Sequence, residues 1–250
     1  MSLDGKVALV TGGAGGIGRA TCAALAQRGV SLVVADIDGD AAADVAAAHG
    51  GVSIRCDVSV LEQNAAAVAL AVEHFGGLDL AFLNAGVATG CGVGEDFDLA
   101  LYRRAMGANL DGVVFGTNAA LPAMKARGGG GIVATASLAG LTGVPMDPLY
   151  SANKHAVVGL ARSLGPVLEL DGVRFNAVCP GYAESGIVAP MRDALTDAGF
   201  EIMPAERVAE AVVGLFEGDA AGVCWFVQPG RQGAFGFRHV PGPRKQEAAP

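Results

Sequence analysis

The chain has 250 residues, of which 52% are hydrophobic and 17% are charged, and its formal net charge at pH 7 is −8. A chain of this length and composition is expected to bury one sizeable core, because α/β folds of similar size commonly stay single domains. The net negative charge argues against nucleic acid and anionic membrane as partners, since both are bound through basic surfaces.

Neither membrane insertion nor secretion is predicted from the sequence. The most apolar runs are only as long as strands, and the start of the chain lacks a basic segment followed by an apolar stretch. The five cysteines are scattered without a Cys-x-x-Cys pair, and the four histidines lack the spacing of metal ligands. These features predict a cytoplasmic protein with reduced thiols and no bound metal.

Short apolar runs alternate with alanine-rich periodic stretches, which is typical of βαβ units. Strands are predicted at Lys6–Val10, Ser31–Asp36, Val52–Cys56, Leu80–Asn84, Ile132–Ala136, Val173–Cys179 and near Val223–Val227. Helices are predicted at Ile17–Arg28, Asp40–Ala48, Leu61–Phe75, Leu99–Lys125, Tyr150–Leu170 and Ala205–Phe216. Because the strands are continuous apolar runs, they indicate an α/β fold with a doubly wound parallel sheet of about seven strands and helices on both faces. One domain is expected over residues 1–240, followed by a flexible tail at 241–250.

A glycine-rich turn follows the first predicted strand and opens the first predicted helix. Residues 11–18 read TGGAGGIG, which fits a G-x-G-x-x-G pattern from Gly13 or a G-x-x-x-G-x-G pattern from Gly12. Glycines let backbone N–H groups approach a pyrophosphate closely, and the positive end of the helix dipole attracts it. The pattern alone is weak, but its position between a strand and a helix favours dinucleotide binding in a Rossmann-type fold.

Asp36 ends the second predicted strand, 20 residues after Gly16. A carboxylate at this point accepts hydrogen bonds from the adenine ribose hydroxyls and repels a 2′-phosphate. The glycine turn contains no Lys or Arg, and Ile37 and Asp38 follow the acid. The sequence therefore predicts NAD rather than NADP. The alternative is that Asp36 is an ordinary turn residue before the next helix.

Tyr150 and Lys154 are four residues apart on a predicted helix, so their side chains share one face. A nearby positive charge can lower the pKa of a phenol by about 1–3 units, toward the range of a proton donor or acceptor. Alone, such a pair is usually an ordinary solvated one. Ser137 ends a predicted strand at the edge where α/β sheets bind ligands, and Asn109 is a polar amide in an apolar helix. For Asn109, a buried amide satisfied by its neighbours is an equally good interpretation.

In combination, these residues resemble the short-chain dehydrogenases/reductases, which interconvert secondary alcohols and ketones with a nicotinamide cofactor. The resemblance extends from Val7 to about Pro229, and its motifs stand in the family's order and spacing. The motifs are Thr11-Gly12-x-x-x-Gly16-Ile17-Gly18, Asp57-Val58, Asn84-Ala85-Gly86, Asn109, Ser137, Tyr150-x-x-x-Lys154 and Pro180-Gly181.

The resemblance implies a role for each matching residue. Tyr150 would be the general acid/base, and Ser137 would orient the substrate oxygen. Lys154 would hold the nicotinamide ribose while lowering the phenol pKa, and Asn109 would anchor a water that links Lys154 to solvent. Ser185 stands where family members more often have Thr. The implied cofactor contacts are Gly12, Gly15, Gly16, Ile17, Gly18, Asp36, Ile37, Asp57, Val58, Asn84, Ala85, Gly86, Tyr150, Lys154, Pro180, Gly181, Ala183 and Ser185.

Three segments are expected, by the same resemblance, to form the walls of the substrate pocket: 87–95, 138–149 and 182–204. Their side chains are largely apolar, and the one Lys or Arg among them is Arg192. The first two segments thus offer no cation for a carboxylate or phosphate. The sequence predicts an uncharged, fairly apolar substrate that is steroid-, prostaglandin- or polyketide-like. Its expected contacts are Ser137, Val144, Tyr150, Tyr182 and Met191.

The carboxyl end departs from common family members, because Trp225–Gly230 replaces the usual Gly-Gly after the last strand. Phe235 and Phe237 follow in a glycine-rich segment and are expected to reach a neighbouring subunit or the pocket mouth. The family's usual tetramer would explain the low content of charged residues, so a homotetramer or homodimer is predicted.

Three alternative functions fit the sequence less well. An NADPH-dependent ketoreductase is disfavoured by Asp36, and an enoyl reductase would space its Tyr and Lys more widely. A non-catalytic dinucleotide-binding protein of the same fold predicts damage at Ser137, Tyr150 or Lys154, and all three are present.

Overall fold

A computed structural model of the chain describes residues 2–238, so the predicted tail at 241–250 lies outside the described residues. The strands are β1 Val7–Thr11, β2 Ser31–Asp36, β3 Val52–Arg55, β4 Leu80–Leu83, β5 Gly130–Thr135, β6 Val173–Pro180, β7 Cys224–Gln228 and β8 Arg231–Ala234. They form one sheet in the order β3-β2-β1-β4-β5-β6-β7-β8. Strands β1 to β7 are parallel, and β8 pairs antiparallel with β7 at the edge.

Helices cover both faces of this sheet, which confirms the predicted α/β doubly wound architecture. They are α1 Gly16–Ala26, α2 Gly39–Ala48, α3 Leu61–Phe75, α4 Leu99–Met106, α5 Gly112–Ala126, α6 Pro148–Leu168, α7 Arg192–Asp197 and α8 Ala205–Glu217. One hydrophobic cluster joins the sheet to α3, α5 and α6, and a second joins it to α1, α2 and α8.

Strand β1 shows why the strand segments are apolar at every position. Successive residues of a strand point to opposite faces. Val7 and Leu9 accordingly join the cluster with α3, α5 and α6, while Ala8 and Val10 join the other. Both faces are buried, so neither set of positions can be polar.

The helix predicted at Leu99–Lys125 differs from the observed one. Helix α4 ends at Met106, residues Gly107–Asp111 form a turn of π-helix, and α5 continues from there. The prediction of one uninterrupted α-helix is wrong at this turn, because tertiary contacts of Asn109 override the local α-helical preference. π-turns within α-helices occur frequently at functional sites.

Two short elements were not predicted. Helix α7 spans only six residues, and β8 carries no apolar pattern because its sequence is RQGA. Strand β8 forms a hairpin with β7 in which Gln228 pairs with Arg231 and Gly230 has a φ of 70°. Beyond it, the Phe237 ring lies 4.0 Å from the Arg162 guanidinium of the same chain, and its expected contact with a neighbouring subunit or the pocket mouth stays a prediction. Phe235 is 38% exposed, and the prediction that it reaches a neighbouring subunit or the pocket mouth stays untested.

Candidate active site

The candidate site lies at one edge of the sheet, where the carboxyl ends of the parallel strands meet. Pairing places Thr11 of β1 between Ala35 of β2 and Leu83 of β4, and Thr135 of β5 beside Val178 of β6. Doubly wound sheets bind their ligands at this edge. The predicted glycine turn, Asp36, the Asn84–Gly86 segment, Ser137 and Pro180 all lie at or just beyond these strand ends.

The glycine turn provides a helix start that can receive a pyrophosphate. Gly12 has a φ of 60°, and a Cβ there would lie 2.8 Å from the Cα of Ala85, so only glycine fits. No side chain caps α1. Its first N–H groups therefore lack a side-chain acceptor and, with the helix dipole, suit an anion. This start consists of Gly15, Gly16, Ile17 and Gly18.

Asp36 is fixed by backbone donors. Its Oδ2 accepts a hydrogen bond from the N–H of Ala14 at 2.9 Å, and its Oδ1 accepts one from Asp38 at 3.1 Å. It forms no ion pair among residues 2–238. The neighbouring Ile37 is 59% exposed. The Asp36 carboxylate thus links β2 to the glycine turn, and the exposed apolar side chain of Ile37 lies next to it. A hydrogen-bond acceptor beside an exposed apolar side chain fits an adenosine.

Asp57 and Val58 lie beside Asp36, because the N–H of Cys56 donates to the Asp36 carbonyl oxygen at 2.7 Å. The Asp57 carboxylate accepts hydrogen bonds from the N–H and the hydroxyl of Ser59, at 3.0 and 2.7 Å. Val58 is buried. Their contact with adenine remains a prediction.

Asn84 connects three strand ends. Its Nδ2 donates to the carbonyl oxygens of Thr11 and Gly12, each at 3.2 Å, and its Oδ1 accepts from the Thr135 hydroxyl at 3.1 Å. The Thr11 hydroxyl accepts from the N–H groups of Asn84 and Ala85 at 3.0 and 3.3 Å. The amide therefore holds the glycine turn against β4 and β5.

Asn109 lies in the π-turn and is fully buried. Its Oδ1 accepts from the N–H of Val87 and its Nδ2 donates to the Val87 carbonyl oxygen, both at 2.9 Å. A Cβ at Gly86 would lie 2.8 Å from Asn109 Oδ1 and 3.5 Å from Lys154 Nζ. The amide is therefore satisfied by the backbone, and the relay water expected from the resemblance remains a prediction.

Ser137, Tyr150 and Lys154 come together beyond the end of β5. Ser137 Oγ accepts from the N–H of Ala139 at 3.1 Å and donates to the Pro180 carbonyl oxygen at 3.4 Å, and it lies close enough to the Tyr150 phenol to lower the pKa of that group. The ammonium of Lys154 lies 5.6 Å from the centroid of the Tyr150 ring. The structure thus joins the three residues that the sequence singled out from separate segments.

The segment after β6 packs over the glycine turn. The N–H of Gly181 donates to the Val227 carbonyl oxygen at 2.8 Å, and Ala183 forms a bridge with Met203. A Cβ at Gly16 would collide with the Glu184 carbonyl oxygen. Ser185 Oγ accepts from the N–H of Val188 at 3.3 Å, and the Cα of Ser185 would lie 3.5 Å from a Cβ at Gly16, so Ser185 lies close to the start of α1. Pro180 is the last residue of β6.

The predicted substrate contacts Val144, Tyr182 and Met191 lie on the segments that follow β5 and β6, and their contact with a substrate stays a prediction. Tyr182 packs edge-to-face with Phe200, with ring centroids 5.2 Å apart. Val144 is half-buried, and Met191 is 37% exposed. Met146, on the same segment as Val144, is 91% exposed. Large exposed apolar side chains of this kind mark binding surfaces.

Comparison with known proteins decides the family. A family model described as short chain dehydrogenase matches residues 6–196. The chain belongs to the short-chain dehydrogenase family. As a short-chain dehydrogenase it is an oxidoreductase that acts on CH–OH groups and binds a nicotinamide dinucleotide.

Two curated relatives and one solved structure illustrate the similarity. Cyclohexanol dehydrogenase of Acinetobacter sp. (strain SE19) is 39% identical over 227 residues, which cover 87% of this chain and 90% of that protein. The NAD(+) 15-hydroxyprostaglandin dehydrogenase of Bos taurus is 34% identical over 248 residues, with 88% and 89% covered. The 3-ketoacyl-(acyl-carrier-protein) reductase of Brucella melitensis, solved with NADH, superimposes with a TM-score of 0.84 at 27% identity, covering 92% and 99%.

Lys154 of this short-chain dehydrogenase is a buried ammonium that forms no ion pair with a carboxylate of residues 2–238. Its side chain is 2% exposed, and its Nζ donates to the Thr135 carbonyl oxygen at 2.8 Å. Burial disfavours the charged form and lowers the pKa of Lys154 to about 8, against a weaker opposing effect of Cys179. Near neutral pH this lysine can therefore give up its proton far more readily than an exposed one.

The pKa of Tyr150 is shifted opposite to the sequence-based expectation. Burial raises the pKa of Tyr150 to about 12, the hydrogen bond from Ser137 lowers it, and the charge of Asp147 raises it further. The net direction is thus upward, and the lowering effect expected from Lys154 stays a prediction. The reason is that desolvation of the phenol outweighs the stabilisation of its anion, which spacing along a helix cannot reveal.

Asp147 was missed by the sequence analysis. One carboxylate oxygen accepts from the N–H of Tyr150 at 2.9 Å, and the other accepts from the N–H of Thr89 at 3.1 Å. An Asp followed by Pro148 at the first helical position is a recognisable helix start, so the cap could have been found. The contact with Thr89 is 58 residues away along the chain and has no local signal.

Residues 2–238 contain neither a cluster of metal ligands nor a helix that could span a membrane. No group of three or more His, Cys, Asp or Glu side chains there could hold a metal ion. No helix in the same range is both long and apolar enough to cross a membrane.

Proposed function

We propose that this short-chain dehydrogenase uses NAD to oxidise an uncharged, apolar secondary alcohol to a ketone, and that alicyclic ring alcohols are its substrate class. The observation that carries the proposal is the contact of Ser137 with the Tyr150 phenol above buried Lys154, at the strand edge beside the uncapped start of α1. This arrangement places a proton acceptor, an oxygen-binding hydroxyl and a cofactor-binding helix end together.

NAD is proposed over NADP because of Asp36. Its carboxylate is held in place by two backbone N–H donors and keeps oxygen lone pairs for ribose hydroxyls. A 2′-phosphate would meet the same negative charge at short range. The cofactor-binding residues are proposed as the sequence implied them, from the glycine turn to Ser185. Preference for NAD favours alcohol oxidation over ketone reduction.

Each side chain of the site has a separate role in the proposed reaction. NAD, when bound, supplies the hydride acceptor. Tyr150 accepts the proton of the substrate hydroxyl, and Ser137 donates a hydrogen bond to the same oxygen. Lys154 holds the nicotinamide ribose and, in its charged form, stabilises the phenolate that accepts this proton. Asn109 keeps Val87 in place, and a second proposed role is to anchor the water that links Lys154 to solvent.

The substrate class is proposed from the pocket walls and from the relatives. Tyr182, Phe200 and Met191 present apolar surface toward solvent beside the site. The single cation of these segments, Arg192, is paired with Glu184 at 3.1 Å. Two relatives are named as dehydrogenases of cyclohexanol and of a 15-hydroxyprostaglandin, which are both secondary alcohols. A ring alcohol is proposed first because the cyclohexanol enzyme shares 39% identity.

A homotetramer is proposed as the assembly, in a cytoplasmic location. Leu99 and Val114 are 49% and 42% exposed, and Val167 and Leu170 are 58% and 88% exposed. Apolar side chains at these positions on α4, α5 and the end of α6 suit burial between subunits. Light scattering of the purified protein measures the state directly, and a monomer at micromolar concentration would contradict it.

The decisive experiment replaces Tyr150 by Phe. Turnover of cyclohexanol with NAD⁺, read as NADH absorbance, is expected to fall at least ~10³-fold, because the general base is lost. NADH affinity, measured by fluorescence, is expected to stay within about twofold because only one hydroxyl is removed.

The matched control is Tyr102→Phe, which changes the same atom on α4. It is expected to keep turnover close to that of the wild type. Wild-type turnover in Tyr150→Phe would overturn the assignment, and a preference for NADP⁺ in the wild type would favour the ketoreductase alternative.

A further inference from the structure

We propose that Asp147 is a positioning residue that couples the substrate-side segment Val87–Thr89 to the first turn of α6, so that the pocket wall and the Tyr150 phenol keep a fixed separation. The proposal rests on the proposed function insofar as Tyr150 is the acid/base. Its structural part, the coupling of two segments by one carboxylate, can be tested without turnover.

The two oxygens of Asp147 have different targets. Oδ1 accepts from the N–H of Tyr150 at 2.9 Å, two residues after Pro148, and this hydrogen bond caps the start of α6. Oδ2 accepts from the N–H of Thr89 at 3.1 Å, on the segment that follows β4. Hydrogen bonds to a carboxylate are stronger than those between neutral groups. The carboxylate therefore bridges the catalytic residue's own backbone and a wall of the pocket.

The Val87–Thr89 segment depends on side chains for its position, because it belongs to no helix or strand. Asn109 of the π-turn binds both backbone polar groups of Val87. Arg104 of α4 donates to the Ala88 carbonyl oxygen at 3.4 Å, and Asp147 accepts from Thr89. Three elements thus hold three consecutive residues. Asp147 is the member of this set that also contacts the residue carrying the phenol.

A residue that only caps a helix does not need a hydrogen bond to a segment outside that helix. Asp98, which caps α4, accepts from the N–H groups of Ala100 and Leu101 with a single oxygen, Oδ1, and both partners lie in its own helix. A Ser or Thr hydroxyl can replace an Asp as a cap with little loss. A hydroxyl has only one oxygen and cannot hold Tyr150 and Thr89 from both sides. The second contact therefore distinguishes Asp147 from a cap.

The charge of Asp147 adds a measurable signature. The charged and titratable groups around Tyr150 are Lys154 on the same helix, Cys179 on β6 beside Lys154, and Arg104 from α4 across the Ala88 segment. The negative charge of Asp147 raises the pKa of Tyr150. Alcohol oxidation needs the phenol to lose its proton, so removing the charge is expected to move the acidic limb of the pH profile to lower pH.

The test compares Asp147→Ser, Asp147→Asn and the control Asp98→Ser in the full-length protein. Asp147→Ser keeps a cap but cannot bridge, and it is expected to lower kcat/KM for cyclohexanol with NAD⁺ by about tenfold, since small displacements of reacting groups slow catalysis. Asp147→Asn is expected to shift the acidic limb of kcat/KM to lower pH. Asp98→Ser is expected to stay within about twofold of the wild type, with the wild-type pH profile.

Hydrogen exchange measures the coupling independently of turnover. In Asp147→Ser, amide exchange is expected to rise in residues 87–93, while in Asp98→Ser exchange in these residues is expected to stay at the wild-type level. Unchanged exchange at residues 87–93 in Asp147→Ser would overturn the proposal, whatever the activity. If the exchange result holds and the wild type oxidises no secondary alcohol, the proposed function fails and the coupling stands.

Discussion

Asp79 and Lys154 are buried charged side chains at opposite edges of the same sheet, and their surroundings differ. Asp79 precedes β4 and is 3% exposed. It accepts hydrogen bonds from Lys6 at 3.2 Å, from Arg127 at 3.1 Å and from the N–H of Val7 at 3.0 Å. Burial alone would raise the pKa of this carboxyl, but these donors outweigh it and the pKa is lowered. The charge is neutralised by two cations.

Lys154 is equally buried, but its positive charge is stabilised only by dipoles and not by a carboxylate of the described residues. Its ammonium contacts the Thr135 carbonyl oxygen, and among residues 2–238 it forms no ion pair. A charge that stabilises a fold is paired, because an unpaired buried charge is costly. A charge that takes part in proton transfer must instead be able to lose its proton near the working pH. The difference between the two edges therefore supports the proposal that Asp79 is a structural charge and Lys154 a catalytic one.

Replacing Lys154 by Met is expected to have the largest effect on turnover. Activity with NAD⁺ should fall at least ~10²-fold, because the charge beside the phenol and the ribose is lost. The free energy of unfolding should stay the same or increase, since an apolar side chain of similar length removes an uncompensated buried charge. Kinetic assays and urea unfolding measure both quantities. Retained activity, or a loss of stability above about 2 kcal/mol, would place Lys154 with the structural charges.

Asp36 is intermediate between Asp79 and Lys154, because its carboxylate accepts hydrogen bonds from backbone N–H groups but has no cation partner among the described residues. Asp36→Ala is expected to lower kcat/KM for NAD⁺ by about tenfold, as hydrogen bonds to a charged acceptor are lost, and to raise the ratio of NADP⁺ to NAD⁺ use. Asp38→Ala is the control, since Asp38 caps α2 through Ala41 and does not contact the glycine turn. Equal effects of the two changes would make Asp36 a turn residue only.

Asp79→Asn is expected to have a smaller effect on turnover and a large one on stability. The free energy of unfolding should fall by about 3 kcal/mol, because Lys6 and Arg127 lose the anion between them. The folded state holds the pKa of Asp79 below the unfolded value of 3.8, so its stabilisation is present above that pH and is lost as the pH falls further. The stability difference between wild type and variant should therefore shrink in acid, and a difference that grows would contradict the assignment.

The pH dependence of stability gives the smallest expected effect. Lys154 has a pKa of about 8 in the folded protein and 10.5 as its ordinary value. The unfolded chain binds the extra proton between these values, so the penalty for burying Lys154 is largest below pH 8 and decreases as the pH rises. Lys154→Met lacks this penalty. Unfolding measurements at pH 7 and pH 9.5 should show its stability advantage narrowing, and a constant advantage would exclude deprotonation of Lys154.

The sequence predicted the strands and most helices because burial on both sheet faces leaves a local apolar pattern. Strand β8 had no such pattern, and its place depends on pairing with β7. The π-turn at Gly107–Asp111 depends on the contact of Asn109 with Val87, which is 22 residues away. Elements that are defined by distant partners could not be read from local periodicity.

The residues that meet at the site could be proposed from the sequence, but their pKa values were harder to predict. Spacing was enough to propose that Ser137, Tyr150 and Lys154 meet, because the carboxyl ends of parallel strands share one edge. The pKa of Tyr150 could not be predicted, since it depends on how far the folded chain excludes water from the phenol. Asp147 shows a similar limit. Its hydrogen bond to Tyr150 joins residues that are close in the sequence and could be predicted, whereas its hydrogen bond to Thr89 joins residues that are far apart and could not.

Strand β8 also determines how the sheet ends. It covers the backbone edge of β7, whose sequence CWFVQ is apolar enough to attract another extended chain. Strand β8 itself is four residues long, carries Arg231 and contains Gly233, so it offers a poor template for further pairing. Among residues 2–238, the hairpin of β7 and β8 therefore places a short strand with a charged residue, and not an apolar strand, at this edge of the sheet.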